Sequence, residues 1–175
     1  YLKHLDQGIF ERFKEMPLNP SVRVFESKSG MPTLAAKGDD GSEVLAHSEY
    51  DPAKEARLFA ESRLPGVRGR APSGAEIKNE ETEAYAIAGF GLGYHIVEFA
   101  QRLPKKRWLF VIEGREEIFR AALEYTDLSS LLTRGGTHLF VGRDWSVFLG
   151  WIKGVLDLCN PDDITVIVHQ PSARL

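Results

Sequence analysis

The chain has 175 residues, 43% of them hydrophobic and 27% charged, which is enough for one filled core; one α/β domain with an N-terminal extension is expected. A formal net charge of -3 excludes the global basic field with which nucleic-acid and anionic-membrane binders recruit their partners. The single Cys159 excludes an intramolecular disulfide and no apolar run approaches the roughly 20 residues that span a bilayer, so a cytoplasmic setting is expected, with no nucleic acid and no membrane as partner.

The chain begins at Tyr1 without a methionine and carries no signal-peptide pattern, so it reads as a trimmed or excerpted segment. Leu2, Leu5, Ile9, Phe13 and Met16 recur at helical spacing until Pro17 and Pro20 close the run. Val22–Glu26, Met31–Ala36 and Val44–Ala46 are separated by the turn-rich Ser27–Gly30 and Gly38–Gly41, which predicts a small antiparallel meander. Asp51-Pro52 starts a helix reaching about Leu64, because the Asp side chain caps free N–H groups and proline is tolerated at the first helical position. From Pro65 to Glu83 hardly an apolar residue occurs, which marks a polar loop.

The organising stretch is Ala84–Ala100, an apolar run that meets Gly89, Gly91 and Gly93 and resumes with helical spacing at Tyr94-His95. It reads as strand, tight turn and helix, with the positive end of the helix directed at the turn. The next apolar run, Trp108–Ile112, ends at Glu113, about the 20 residues downstream at which nucleoside-binding folds place the acid that holds ribose hydroxyls. The dinucleotide fingerprint wants a small residue where this chain has Tyr94, which argues against NAD or FAD. Gly-x-Gly-x-Gly followed by an acid is closer to the first motifs of class I methyltransferases, which bind S-adenosylmethionine, although the acid those enzymes carry before the glycines is replaced by Ile87. Two readings stay open: a site for S-adenosylmethionine or a nucleotide, and a purely structural turn.

A helix from Glu116 to Tyr125, a capped turn at Asp127–Leu132, a strand at His138–Val141, a helix capped by Asp144 and ending near Cys159, and a strand at Ile164–Val168 complete the chain. Apolar strands alternating with helices predict a Rossmann-like, methyltransferase-like parallel sheet over 84–175, preceded by helix, meander and capped helix over 1–64 and the loop at 65–83. The carboxyl ends of such strands gather on one edge, which collects Gly89–Gly93, Glu113, Asp144 and His169. His4, His47, His95, His138 and His169 lack the close spacings of a zinc or iron site, so no metal is expected and His95 reads as a surface cap. No Gly-x-Ser-x-Gly elbow and no Walker lysine occur, which excludes the serine-hydrolase and P-loop readings.

Ser48-Glu49-Tyr50-Asp51-Pro52-Ala53-Lys54-Glu55-Ala56, Gly89-Phe90-Gly91-Leu92-Gly93-Tyr94-His95, Glu113–Glu124 and Asp127-Leu128-Ser129 together resemble the N-terminal domain of the motility accessory factor (Maf) glycosyltransferases. Members of that family modify flagellin with nonulosonic acids from nucleotide-activated donors, and the transfer is assigned to a central domain. The resemblance therefore implies a bacterial accessory domain, itself without catalysis, that positions flagellin or a partner glycosyltransferase domain. It also implies that the central domain is missing from this segment. The polar insertion at 66–83 is a departure from the family pattern. The alternative is a methyltransferase-like enzyme holding its ligand with Gly89, Gly91, Gly93, Tyr94, His95, Glu113, Arg115 and Asp144.

Overall fold

Strands rich in Val, Ile, Leu and Phe that alternate with amphipathic segments are expected to be buried on both faces by helices, and the described helices cover the face that carries Tyr85, Ile87, Leu109 and Val111. In the computed structural model the described residues are 11–13, 15–38, 40–64, 84–142, 150 and 164–175. Four strands, β4 (Ala84–Ala88), β5 (Trp108–Glu113), β6 (Thr137–Val141) and β7 (Ile164–Val168), form a parallel sheet in the order β6-β5-β4-β7. Three more, β1 (Val22–Glu26), β2 (Pro32–Lys37) and β3 (Glu43–Leu45), form the expected antiparallel meander. The helices are α1 (Pro52–Arg63), α2 (Tyr94–Arg102), α3 (Glu116–Tyr125) and the single turn α4 (Ser129–Leu132). Most of the expected first helix, the loop at 65–83, Asp144, and the helix ending near Cys159 lie outside the described residues.

Side chains alternate across the sheet with the period of a strand. Tyr85, Ile87, Leu109, Val111, Leu139 and Ile167 enter the main core with Phe99 of α2 and Phe119 of α3. Ala84, Ala86 and Phe110 form a smaller cluster with the partly buried Trp108, Phe140 and Ile164. β4 pairs in register with both β5 and β7, so the strand order reverses beside β4, the place where open α/β sheets leave a crevice at their carboxyl edge.

Asp51 starts α1 as expected: its side chain accepts from the Lys54 N–H at 2.8 Å, and Pro52 occupies the first helical turn. The small residues Ala56 and Ala60 are buried one turn apart, which lets α1 approach α2 closely. α3 serves two cores. Phe119 and Ala122 pack in the main one, whereas Ile118 and Ala121 pack with Leu34, Ala36 and Ala46 of the meander region and with Leu92 of the glycine turn. Phe13 and Ala60 also enter the main core, so both parts of the chain share buried surface.

β7 departs from the expectation of four strands buried on both faces. Val166 is 68% exposed and Val168 39%. The strand is the edge of the sheet among the described residues, paired with β4 alone, and apolar composition by itself does not distinguish an edge from a centre.

Candidate functional site

β4 ends at Ala88 and the chain turns through Gly89–Gly93 into α2. Gly91 (φ +53°) and Gly93 (φ +84°) adopt the left-handed region, which L side chains enter only with strain. Space forbids a side chain as well. A Cβ on Gly91 would stand 2.6 Å from Nε2 of His47, and one on Gly93 would stand 2.6 Å from the Phe90 ring.

The backbone N–H groups of this turn are directed at the chain's own acceptors. Gly89 N–H bonds the Ile112 carbonyl at 2.9 Å, Phe90 N–H bonds Oε2 of Glu113 at 2.8 Å, Leu92 N–H bonds Nε2 of His47 at 2.8 Å, and Gly93 N–H bonds the Phe90 carbonyl at 2.8 Å. Glu113 stands at the end of β5 as the sequence predicts, yet its carboxylate is 5% exposed and holds backbone rather than facing an open crevice. Its other oxygen accepts from the Arg115 N–H at 2.9 Å. Burial raises the Glu113 pKa, opposed by the N–H groups of Phe90, Arg115 and Gly91 and by the Arg115 guanidinium. The Arg115 guanidinium itself bonds Glu117 at 2.8 Å, the Lys37 carbonyl at 2.7 Å and the Leu175 carbonyl at 3.0 Å, fastening the chain's last described residue to the meander. Tyr94 reaches the Pro32 carbonyl with its hydroxyl at 3.1 Å. Asp144 lies outside the described residues.

The histidines are where the structure corrects the sequence reading. His95 is not a surface cap but 1% exposed, and it stands with His47 (3%) and His169 (3%) in one buried cluster at the carboxyl edge of β4 and β7. One ring nitrogen from each of the three lies within 4.8 Å of the others. The rings of His95 and His169 are stacked, with centroids 3.8 Å apart and planes 15° apart, and Phe59 of α1 packs its ring edgewise on both. His47 comes from the segment joining the meander to α1, His95 from the first turn of α2 and His169 from the residue after β7, where its N–H continues the ladder to the Ala88 carbonyl at 2.9 Å. The strand-end rule predicts His169 at this edge and the glycine turn brings His95 to it; spacing along the chain conceals that His47 joins them and that all three are buried.

Each ring is held by a partner on one nitrogen. Nε2 of His95 donates to the Gly89 carbonyl at 3.0 Å, which leaves Nδ1 as the basic nitrogen, buried and without a hydrogen-bond partner. Nδ1 of His169 bonds the Ser172 hydroxyl at 2.7 Å. His47 accepts the Leu92 N–H at Nε2, so its proton resides on Nδ1, 3.8 Å from Oε2 of Glu55. Burial pushes the His47 pKa down to about 3 and that of His169 down to about 4, and holds His95 well below the ordinary histidine range, with repulsion between the rings adding at His47 and His95. All three are therefore neutral imidazoles near pH 7.

An open groove of about 960 Å³ lies at the opposite end of the sheet, between Lys106, Arg107 and Trp108 at the start of β5 and Ser129, Arg134 and His138. Arg134 is committed there to the Pro104 and Arg107 carbonyls, each at 2.9 Å. No helix among the described residues is long and apolar enough to cross a membrane.

No protein-family model matches the chain, and no curated protein matches it in sequence. Among solved structures, an O-methyltransferase, TomG from Streptomyces achromogenes, in complex with SAM, is similar over 57% of this chain and 47% of its own, at 21% identity and a TM-score of 0.34. A MAf glycosyltransferase from Magnetospirillum magneticum AMB-1 is similar over 96% of this chain at 14% identity and a TM-score of 0.55. The chain spans 32% of that glycosyltransferase's length, and the likeness is one of fold: a Rossmann-like parallel sheet with a small antiparallel sheet attached.

Proposed function

We propose that this chain is an accessory domain of a Maf-type glycosyltransferase of bacterial flagellin, acting in the cytoplasm to position the acceptor protein or a partner glycosyltransferase domain, and itself without catalysis. The observation that carries the reading is the filled glycine turn: Glu113 and His47, the groups that line the place of a nucleoside ligand, are spent on the N–H groups of Phe90 and Leu92. A ligand approaching that backbone would have to displace both. The fold likeness over 96% of the chain to a MAf glycosyltransferase supports the reading, as do the Ser48–Ala56 and Glu113–Glu124 stretches. The rival reading, a methyltransferase-like enzyme, draws on the strand, glycine turn and helix followed by Glu113 at the next strand end.

Calorimetric titration with S-adenosylmethionine, CMP and NAD separates the two. No heat from any of the three is expected; a micromolar complex with one of them overturns the accessory reading. Co-purification of the chain with flagellin or with a separately expressed glycosyltransferase domain is the positive counterpart.

A further inference from the structure

The histidine cluster has more organisation than packing requires. Imidazole is among the commonest metal ligands, and the nitrogen opposite the metal is ordinarily fixed by a carbonyl, a carboxylate or a hydroxyl. All three types are present: the Gly89 carbonyl on Nε2 of His95 at 3.0 Å, the Glu55 carboxylate 3.8 Å from Nδ1 of His47, and the Ser172 hydroxyl on Nδ1 of His169 at 2.7 Å. At His95 and His169 the partner engages one nitrogen and leaves the second to the cluster, whereas at His47 the second nitrogen, Nε2, accepts the Leu92 N–H. The second nitrogen of His95, Nδ1, is fully buried and has no hydrogen-bond partner, a costly state for a basic nitrogen unless something else occupies its lone pair.

We propose that His47, His95 and His169 form a three-imidazole site for a divalent transition-metal ion of the zinc class, clamping together the segment before α1, the start of α2 and the end of β7. The proposal goes beyond the accessory role and does not rest on it.

Geometry and chemistry set what the site can be. With metal–nitrogen bonds of about 2.0–2.1 Å, the ligands of a tetrahedral ion stand about 3.4 Å apart. The three nitrogens, all within 4.8 Å of one another, draw inward on binding by at most about 1.4 Å for the widest pair. Two local costs accompany that closure. His169 tilts out of its stack on His95, and Nε2 of His47 gives up the Leu92 N–H. The affinity is accordingly weaker than that of a zinc finger, with a dissociation constant of order 1 µM. Nitrogen ligands favour zinc, copper, nickel or cobalt over calcium and magnesium, which take oxygen. The rings are at most 3% exposed, so the ion is structural and any fourth ligand is a water rather than a substrate.

The test is titration of the dialysed full chain with zinc chloride and cobalt chloride, read by calorimetry, melting temperature and the visible absorption of cobalt. One ion per chain is expected, with the intense spectrum of a four-coordinate cobalt site and a higher melting temperature with zinc. His95→Gln should weaken binding by about a hundredfold or more, and Ser172→Ala, which leaves every ligand in place, by about tenfold. His138→Gln, a buried histidine outside the cluster, should bind as the parent does. Absence of a one-to-one complex at about a hundred times the expected dissociation constant overturns the site, and so does unchanged affinity in Ser172→Ala or in a folded His95→Gln chain. Those failures leave the nucleotide titrations, and the accessory reading they test, untouched.

Discussion

The backbone N–H of Leu92 donates to Nε2 of His47 at 2.8 Å, tying the glycine turn to the end of the meander across 45 residues of chain. The bond places an imidazole where the open approach to a phosphate-binding turn would be, and a Cβ on Gly91 would meet the same nitrogen at 2.6 Å. Turn and histidine are thus shaped to each other.

Gly91→Ala should therefore destabilise through two separable terms. Left-handed backbone costs roughly 1–2 kcal/mol for a residue with a Cβ, and the collision with His47 adds to it. In a His47→Ala background the second term vanishes, so a double-mutant cycle read by urea denaturation should give a coupling of about 0.5–3 kcal/mol. Strictly additive costs would mean that the contact is not felt.

Glu113→Gln tests the carboxylate as a structural acceptor. The Phe90 and Arg115 N–H groups each bond one of its oxygens, and the amide would turn an NH2 toward one of them. A loss of about 1.5–3 kcal/mol is expected, the scale of a hydrogen bond to a charged group. A variant as stable as the parent would return Glu113 to the role of ligand holder.

Two substitutions of the same kind should part company. Val111 is 1% exposed in the centre of the sheet, so Val111→Asp buries an unpaired carboxylate at a cost of several kcal/mol and should leave the chain unfolded. Val166 is 68% exposed on β7, and Val166→Asp should stay within about 1 kcal/mol of the parent by thermal melting. Loss of folding in both would show that β7 is covered.

Acid should unfold the protein earlier than its carboxylates alone require. His47, His95 and His169 take up protons in the unfolded chain near pH 6.5 but in the folded chain only far lower, near 3 for His47 and near 4 for His169. The unfolded state therefore binds more protons throughout that window. Stability is full above about pH 7 and declines as pH falls, by about 1.4 kcal/mol per pH unit for each histidine once below its unfolded pKa. Glu55 and Glu113, whose pKa values are raised by burial, offset part of the decline. Urea midpoints at pH 7 and pH 5 should differ clearly in the parent and much less in a folded chain with the three histidines replaced by Gln or Asn; equal midpoints in the parent would mean that the cluster is already open to water.

Local chemistry was enough to place most elements. Asp51-Pro52 capped α1, short continuous apolar runs marked β4, β5 and β6, and the glycines announced the turn into α2, because caps, apolar runs and left-handed backbone are decided within a few residues. Glu113 was found at its strand end by spacing alone, since one strand, turn and helix have nearly fixed length. Its task was not legible: a carboxylate at that position suits ribose hydroxyls or backbone N–H groups equally, and only the path of the turn delivered Phe90 N–H to it. The exposure of Val166 was hidden for a similar reason, because β7 is an edge only by the neighbour it lacks among the described residues. The histidine cluster lay furthest from the sequence. His47, His95 and His169 belong to three segments that touch because the meander folds back over the carboxyl edge of a parallel sheet at the place where its strand order reverses, and no period or spacing along the chain encodes that meeting. Burial, which turns three ordinary imidazoles into neutral ones, is likewise a property of the closed structure alone.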